Sequence, residues 1–412
     1  MHRLPVFEHE SVKVGKYECF TETHRQAMEL FHGEKGVPYF SLVHHGVKFN
    51  EYVGVIQVGK LCIEVLPKAD KDENKDHWRG MLIDMLRAVN SFHFQTPSET
   101  SLTLKSNAIL DLYFEIFVGE VECLIRKGLI KKYRQKDGNS TALKGSLLFS
   151  KNIQHNLVHK ERFFVRYTTY DKDHEWHRIL YKTILLINHV NTNANLKSKI
   201  GALLLDFPEM PDIAASDALF NNLQFNRKTD VYKKAIEIAR LLLLNYHPDI
   251  KHGQNHVLAL MFDMNKLWEQ FVYVCLRRYN GFNYQIKAKT FKYFWQKQGG
   301  NRMKMIPDIL IRKNEEEYIV LDTKWKNIGN TNPQPDDLRQ MYMYSKYHMN
   351  AKTALVYPGE KSSCIEGQFY KEDQNSAKSN NVCRVMTIAV AKPIKVWQRQ
   401  IAEEVWKFVD LM

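Results

Sequence analysis

The sequence predicts an α/β C-terminal domain with a mixed central sheet, preceded by a helical connector and an N-terminal α+β domain. Three stretches of periodicity predict it: alternation of period two over residues 37–68, helical spacing from Asp76 to about residue 255, and short strands interleaved with helices from residue 256 onward. The boundaries expected from these shifts are 1–165, 166–255 and 256–412, and a chain of 412 residues is long enough for two or three separate cores.

In chain order, "PYFSLVHHG", "EYVGVIQV" and "LCIEVLPK" read as strands, with Gly59-Lys60 as the tight connection between the last two. "DHWRGMLIDMLRAVN" then places Trp78, Met81, Leu82, Met85 and Leu86 on one helical face. A second helix, 107–133, is apolar at Ile109, Leu112, Phe114, Ile116, Phe117, Val121, Leu124 and Ile125, too broad a face for one-sided burial, and is expected to end in the polar break "KDGNST". Residues 144–170 mix Lys and Arg with aromatics, which suits either a nucleic-acid surface or an ordinary amphipathic one. "DKDHEWHRILYKTILLINHV" and "TDVYKKAIEIARLLLLNYH" continue as helices. From "HVLALMFDMNKLWEQFVYVCLRRY" the expected order is helix, strands near 283–289 and 291–296, strand 305–312, a turn, strand 317–325, helix 335–349, strands 353–357 and 385–392, and a closing helix 394–411.

Composition narrows the class. Hydrophobic residues at 44% and charged residues at 25% are those of a globular chain, which excludes a disordered tail or a fibrous repeat. No apolar run reaches the length of a membrane span, and the first fifteen residues lack a secretory apolar stretch, so a cytoplasmic protein is expected. Six cysteines without CxxC spacing are expected to be reduced thiols rather than a zinc site or a redox pair. A net charge of +13 favours a polyanionic partner, nucleic acid or an acidic protein.

The chemistry concentrates in "MIPDILIRKNEEEYIVLDTKWK". Asp308 breaks an apolar strand, and Asp322 and Lys324, two apart, point to one face of the next. A buried unpaired charge costs several kcal/mol, so such residues persist with partners, in water, or around a metal. They would equally serve as a strand-start turn and a salt-bridged edge pair. Two converging carboxylates and a lysine suit Mg²⁺-assisted phosphodiester hydrolysis, because Mg²⁺ takes one or two carboxylates and keeps several waters.

This layout resembles the PD-(D/E)XK nuclease superfamily, with Pro307-Asp308 as the PD and Asp322-Thr323-Lys324 as the D-x-K. The preceding helix segment "LWEQFV" offers Glu269, and "DLRQMYMYSKY" offers the Q-x-x-x-Y of the RecB-like branch as Gln340 and Tyr344. The resemblance implies metal binding by Asp308, Asp322, the Thr323 main-chain carbonyl and Glu269, water positioning by Lys324, and support from Gln340 and Tyr344. Lys287, Lys289, Lys292, Arg302, Lys304 and Lys326, interleaved with aromatics, are candidate phosphate contacts.

Over most of its length the chain resembles McrC proteins of McrBC modification-dependent restriction systems, through "EYVGVIQVGKLCIEVLPK", "LKGSLLFSKNI", "RYTTYDKDHEWHRIL" and the motifs above. His177 stands where that family often has Asn. The resemblance implies a Mg²⁺-dependent DNA endonuclease subunit, with Mn²⁺ able to substitute, whose N-terminal region docks on and stimulates a hexameric McrB-like AAA+ GTPase, the pair cleaving methylcytosine-containing DNA. GTP would be bound by the partner, since no GxxxxGK[ST] occurs here. Two other readings keep the fold: a non-cleaving activator and scaffold of the motor, and a stand-alone RecB-like repair nuclease.

Overall fold

The structure is a computed structural model that describes residues 2–69, 74–93, 109–247, 257–282, 284–314, 317–328, 332–371 and 374–410. The chain forms two compact units, one of residues 1–99 with 247–412 and the other of residues 100–246. This differs from three consecutive parts for two reasons. Residue 165 lies inside a paired strand of the second unit, and strands from the N-terminal region pair with one that begins at Val257.

The first unit opens with β1 (His2–Phe7), β2 (Ser11–Lys13), α1 (Glu22–His32), β3 (Phe40–Val43), β4 (Gly46–Phe49), β5 (Tyr52–Val58), β6 (Leu61–Leu66) and α2 (Lys75–His93). The strands expected in 37–68 are thus β3 to β6, and β2, β4 and β3 form a small antiparallel sheet. The second unit follows with α3 (Ile109–Lys127), β7 (Lys132–Ser140), β8 (Ser146–Leu147), α4 (Phe149–Asn156), β9 (Phe163–Asp171), α5 (Glu175–Val190), α6 (Ala194–Asp206), α7 (Asp217–Asn221) and α8 (Lys233–Leu244).

Within that second unit, α3 packs on α5, α6 and α8, which covers the broad apolar face the sequence shows. The helix expected to reach residue 133 stops earlier: Gly128 adopts φ 88°, and the polar segment beyond it is drawn into a nine-residue antiparallel ladder with β9. Residues 107–108 of that expected helix lie outside the described residues. His177 is a core residue, within 2.6 Å of the Lys172 carbonyl and 3.1 Å of the Tyr232 hydroxyl. Burial, aided by His174, lowers its pKa to about 4, so it sits in the core neutral.

After β10 (Tyr246–His247) come β11 (Val257–Asp263), α9 (Met264–Arg278), β12 (Gln285–Ala288), β13 (Lys292–Gln296), β14 (Arg302–Met305), β15 (Ile309–Arg312), β16 (Tyr318–Thr323), α10 (Pro335–Tyr347), β17 (Lys352–Gly359), β18 (Ser363–Lys371), β19 (Gln374–Ala389) and α11 (Ile394–Asp410). The apolar run expected to open a helix at 256 is instead β11, antiparallel to β5. Val257 to Leu260 are all buried, a continuous apolar run in which periodicity does not separate strand from helix. The helix starts only after Asp263, whose carboxylate caps it by accepting from the Lys266 N–H at 3.2 Å.

Six strands make the central mixed sheet in the order β12-β15-β16-β17-β19-β18. β16, β17 and β19 are mutually parallel, and the remaining pairs are antiparallel. Leu310, Val320, Leu355 and Tyr357 pack with Met341 and Tyr344 of α10, while their strand neighbours Ile309, Ile311, Ile319 and Leu321 are buried too, so both faces are covered. Trp268 and Phe271 of α9 stack on Trp397 of α11 at 5.4 and 5.2 Å. β18 escapes sequence reading because "SCIEGQFYK" is an exposed edge strand without apolar alternation.

Pro307 splits the strand expected at 305–312 into β14 and β15, because it has no N–H to give a ladder. Asp308 therefore lies at the mouth of β15.

Gly54 in β5 lies opposite Met261, with φ 140°, and a Cβ there would collide with the Leu260 carbonyl oxygen. Gly54→Ala is expected to destabilise this unit by about 2 kcal/mol or more in urea unfolding. An unchanged midpoint would contradict the close approach of β5 to β11.

Candidate active site

The register of the sheet brings the carboxylates together. Ile309 pairs with Leu321, so the next antiparallel step sets Asp308 opposite Asp322 at the end of β16. Asp308 is fixed there by β16 itself: its Oδ2 accepts from the Thr323 N–H at 2.7 Å and from the Thr323 hydroxyl at 2.9 Å. Asp322 is only 1% exposed, and its Oδ2 lies 2.8 Å from Lys324 Nζ. The ion pair with this ammonium is the compensation that the carboxylate has in the interior.

Burial and mutual repulsion shape the charges. Burial, then the Asp308 charge, pushes Asp322 up to about 6, only partly opposed by Lys324. Asp308 is raised as well, by burial, against the Thr323 hydrogen bonds. Glu269, on α9, is pushed up to about 7 by burial and by the charges of Asp308 and Asp322. Three carboxylates that resist ionisation beside one another are a site short of positive charge. Burial alone would lower Lys324, yet Asp322, Asp308 and Asp337 hold it above its ordinary value, so it is an ammonium at neutral pH.

A brace runs from this lysine to the Asp308 loop. Lys324 Nζ donates to Gln340 Oε1 at 3.4 Å, Gln340 Nε2 donates to the Tyr344 hydroxyl at 2.7 Å, and that hydroxyl donates to the Ile306 carbonyl at 2.9 Å. Gln340 and Tyr344 share a face of α10 because they are one turn apart. Pro335 at the start of α10 and Asp336 and Asp337 in its first turn fix where that helix begins.

The donor set can be tested against a divalent cation. Among the described residues no three His, Cys, Asp or Glu side chains form a ready-made metal cage. A Mg²⁺ site does not require one: the hard, buried carboxylate oxygens of Asp308 and Asp322 fit an ion that takes one or two carboxylates and completes its shell with water.

The sequence profile of the family described as "McrBC 5-methylcytosine restriction system component" matches residues 47–358, a span that holds all of these side chains. The chain belongs to the McrBC family. It is 22% identical, over 279 residues, to the type IV methyl-directed restriction enzyme EcoKMcrBC of Escherichia coli K12, covering 62% of this chain and 78% of that relative. Its fold is that of a chain in the half-complex from the tetradecameric assembly of Thermococcus gammatolerans McrB AAA+ hexamers with bound McrC. The TM-score is 0.64, at 18% identity, over 97% of this chain and 99% of that one. No helix among the described residues is long and apolar enough to cross a membrane.

In this McrBC-family chain, the basic residues singled out from the sequence do not all gather at the carboxylates. Lys289 does: its charge acts on both Glu269 and Asp308, and its N–H reaches the Asp308 carbonyl at 3.4 Å. Lys287 lies on β12, Lys292 on β13, and Arg302 and Lys304 on β14. Lys326 is engaged by Asp337 at 2.8 Å.

Three supports were not singled out from the sequence. Asp337 binds Lys326, and its place on the face of Gln340 and Tyr344 was a readable signal, since 337, 340 and 344 follow helical spacing. Asn265 accepts from the Trp325 N–H at 3.0 Å, and Glu8 accepts from the Trp325 indole at 2.9 Å and from the Lys68 N–H at 2.8 Å. Glu8 is 317 residues from Trp325 in sequence, so only folding reveals that contact.

An acid raised by the fold binds its proton more tightly folded than unfolded, so stability is lost as pH rises. The ordinary values are 3.8 for Asp and 4.5 for Glu, so the ion-free protein should weaken between about pH 4 and the raised values near 6 and 7. Asp322→Asn is expected to stabilise the ion-free protein at pH 8 by about 1–2 kcal/mol and to flatten this decline. A variant less stable than the parent at pH 8 in chelator would contradict the charge balance described.

Proposed function

We propose that this chain is the endonuclease subunit of a McrBC-type restriction system, cleaving phosphodiesters of modified, methylcytosine-containing DNA. The observation that carries it is the buried pair Asp308 and Asp322 converging beside Lys324, with Asp322 pushed up to about 6 by burial and by the Asp308 charge. The fold reading is a PD-(D/E)XK domain within residues 256–412. Mg²⁺, with Mn²⁺ as a substitute, would be held by Asp308, Asp322, the Thr323 main-chain carbonyl and Glu269, and supplies Lewis acidity and a more acidic water.

The chain's own residues then divide the work. Lys324, charged at neutral pH, orients water and offsets negative charge growing on the phosphate rather than acting as a free base. Gln340 holds the lysine, and Tyr344 holds the loop before Asp308, so both are positioning residues. Lys289, beside the carboxylates, is the basic residue best placed for the scissile phosphate.

The partner in this reading is a McrB-like hexameric AAA+ GTPase that binds and hydrolyses GTP, docking on a surface within residues 1–165. Leu143, Phe149, Ile153, Leu157 and Val158 are all exposed along β8 and α4 and their flanks, an apolar strip that suits a protein partner. The whole complex would act in the cytoplasm on double-stranded DNA.

Asp322→Ala is expected to abolish cleavage of methylated DNA, measured with the partner, GTP and Mg²⁺, while stimulation of GTP hydrolysis stays at the parent level. Loss of both activities in a folded variant would contradict separate sites. Gln340→Ala is expected to slow cleavage about tenfold or more, as loss of a residue that orients an active-site group does. Parent-level cleavage by that variant would remove the brace from the account.

A further inference from the structure

The hairpin of β13 and β14 has no place in the chemistry above, and it combines exposure with a basic and aromatic composition. Every residue of β13, and all of β14 but Met305, is exposed. From Lys289 to Pro307 the sequence carries five cations (Lys289, Lys292, Lys297, Arg302 and Lys304) and no carboxylate. An exposed apolar surface of this kind is costly unless something covers it.

The register sorts its side chains. Tyr293 pairs with Lys304 and Gln296 with Arg302 on one face, while Trp295 pairs with Met303 on the other, and Phe294 sits in the bulge between. On the first face cations and rings alternate. Lys304 Nζ lies 4.1 Å from the Phe291 ring centre, and the Arg302 guanidinium lies 5.2 Å from that of Tyr293. Phe291 and Tyr293 meet edge to face at 5.4 Å.

Both roots of the hairpin are tied to the candidate site. At the first, the Lys289 N–H reaches the Asp308 carbonyl; at the second, Ile306 is held by Tyr344 two residues before Asp308. Lys292 is further anchored on the Tyr347 carbonyl at the end of α10. A strand lying on this hairpin is led to the carboxylates.

We propose that the β13–β14 hairpin is a DNA-strand platform: on one face Arg302 and Lys304 contact phosphates while Phe291 and Tyr293 stack on bases beside the scissile bond, and Trp295 stacks on a base where the strand passes round to the other face. A polyanion with flat, stackable bases answers both halves of this pattern, cations on a segment that carries no carboxylate of its own and exposed rings between them. This inference rests on the DNA-cleavage reading and adds to it which surface engages the strand.

Trp295 provides its own reporter. It is 54% exposed, whereas the other six tryptophans are at most 7% exposed. With the full-length chain in chelator, adding single-stranded or duplex DNA is expected to quench exposed tryptophan emission, and Trp295→Phe is expected to remove that quenching. The Tyr293→Ala/Trp295→Ala variant should bind DNA about tenfold more weakly with an unchanged circular dichroism spectrum, and Arg302→Gln/Lys304→Gln should reduce the salt dependence of binding.

Quenching that survives Trp295→Phe, or parent-level DNA binding by the Tyr293/Trp295 variant, would overturn the proposal. So would protection of Trp295 from iodide by a second copy or by the GTPase partner, with none by DNA. The two readings fail separately. Quenching by DNA with no Mg²⁺-dependent cleavage sinks the nuclease reading and leaves the platform standing, and cleavage with Trp295 unaffected by DNA sinks the platform alone.

Discussion

Two aspartates face each other across adjacent antiparallel strands, and the rest of the site follows from that opposition. Asp308 and Asp322 sit where burial makes an isolated charge costly, and the Asp308 charge raises Asp322 further. Lys324, 2.8 Å from Asp322 Oδ2, offsets only part of this. An apolar pair at these positions would pack more stably, so the sheet gives up stability to keep hard oxygen donors at one point on its edge.

Such an arrangement holds its geometry only if the strands are held from outside the carboxylates. The chain from Lys324 through Gln340 and Tyr344 to Ile306 ties the end of one motif to the start of the other across α10. On the opposite flank, Trp325 is held by Asn265 of α9 and by Glu8, just beyond β1. Residues 1–99 belong to the same compact unit as the six-stranded sheet.

Much of this was legible in the sequence, and the reasons differ by element. Asp308, Asp322 and Lys324 stood out because they violate the apolar pattern of strands that otherwise demand burial, and Gln340 and Tyr344 through the resemblance to a Q-x-x-x-Y motif, whose spacing a helix places on one face. β11 was hidden because a strand buried on both faces has no alternation, and β18 because an exposed edge strand has no apolar pattern at all. β7 was hidden by its polar composition, which long-range pairing with β9 overrides. The contact of Glu8 with Trp325 has no local signature, since it is set by how β1 joins the first sheet.

The account therefore turns on whether the buried carboxylates await a cation. Calorimetric titration of the chain with Mn²⁺ between pH 6 and pH 8, in buffers of different ionisation enthalpy, measures this most directly. Saturable binding is expected that releases protons near pH 6 and fewer at pH 8, and that Asp308→Asn abolishes. Absence of binding in the folded parent, or binding that Asp308→Asn leaves unchanged, would contradict it.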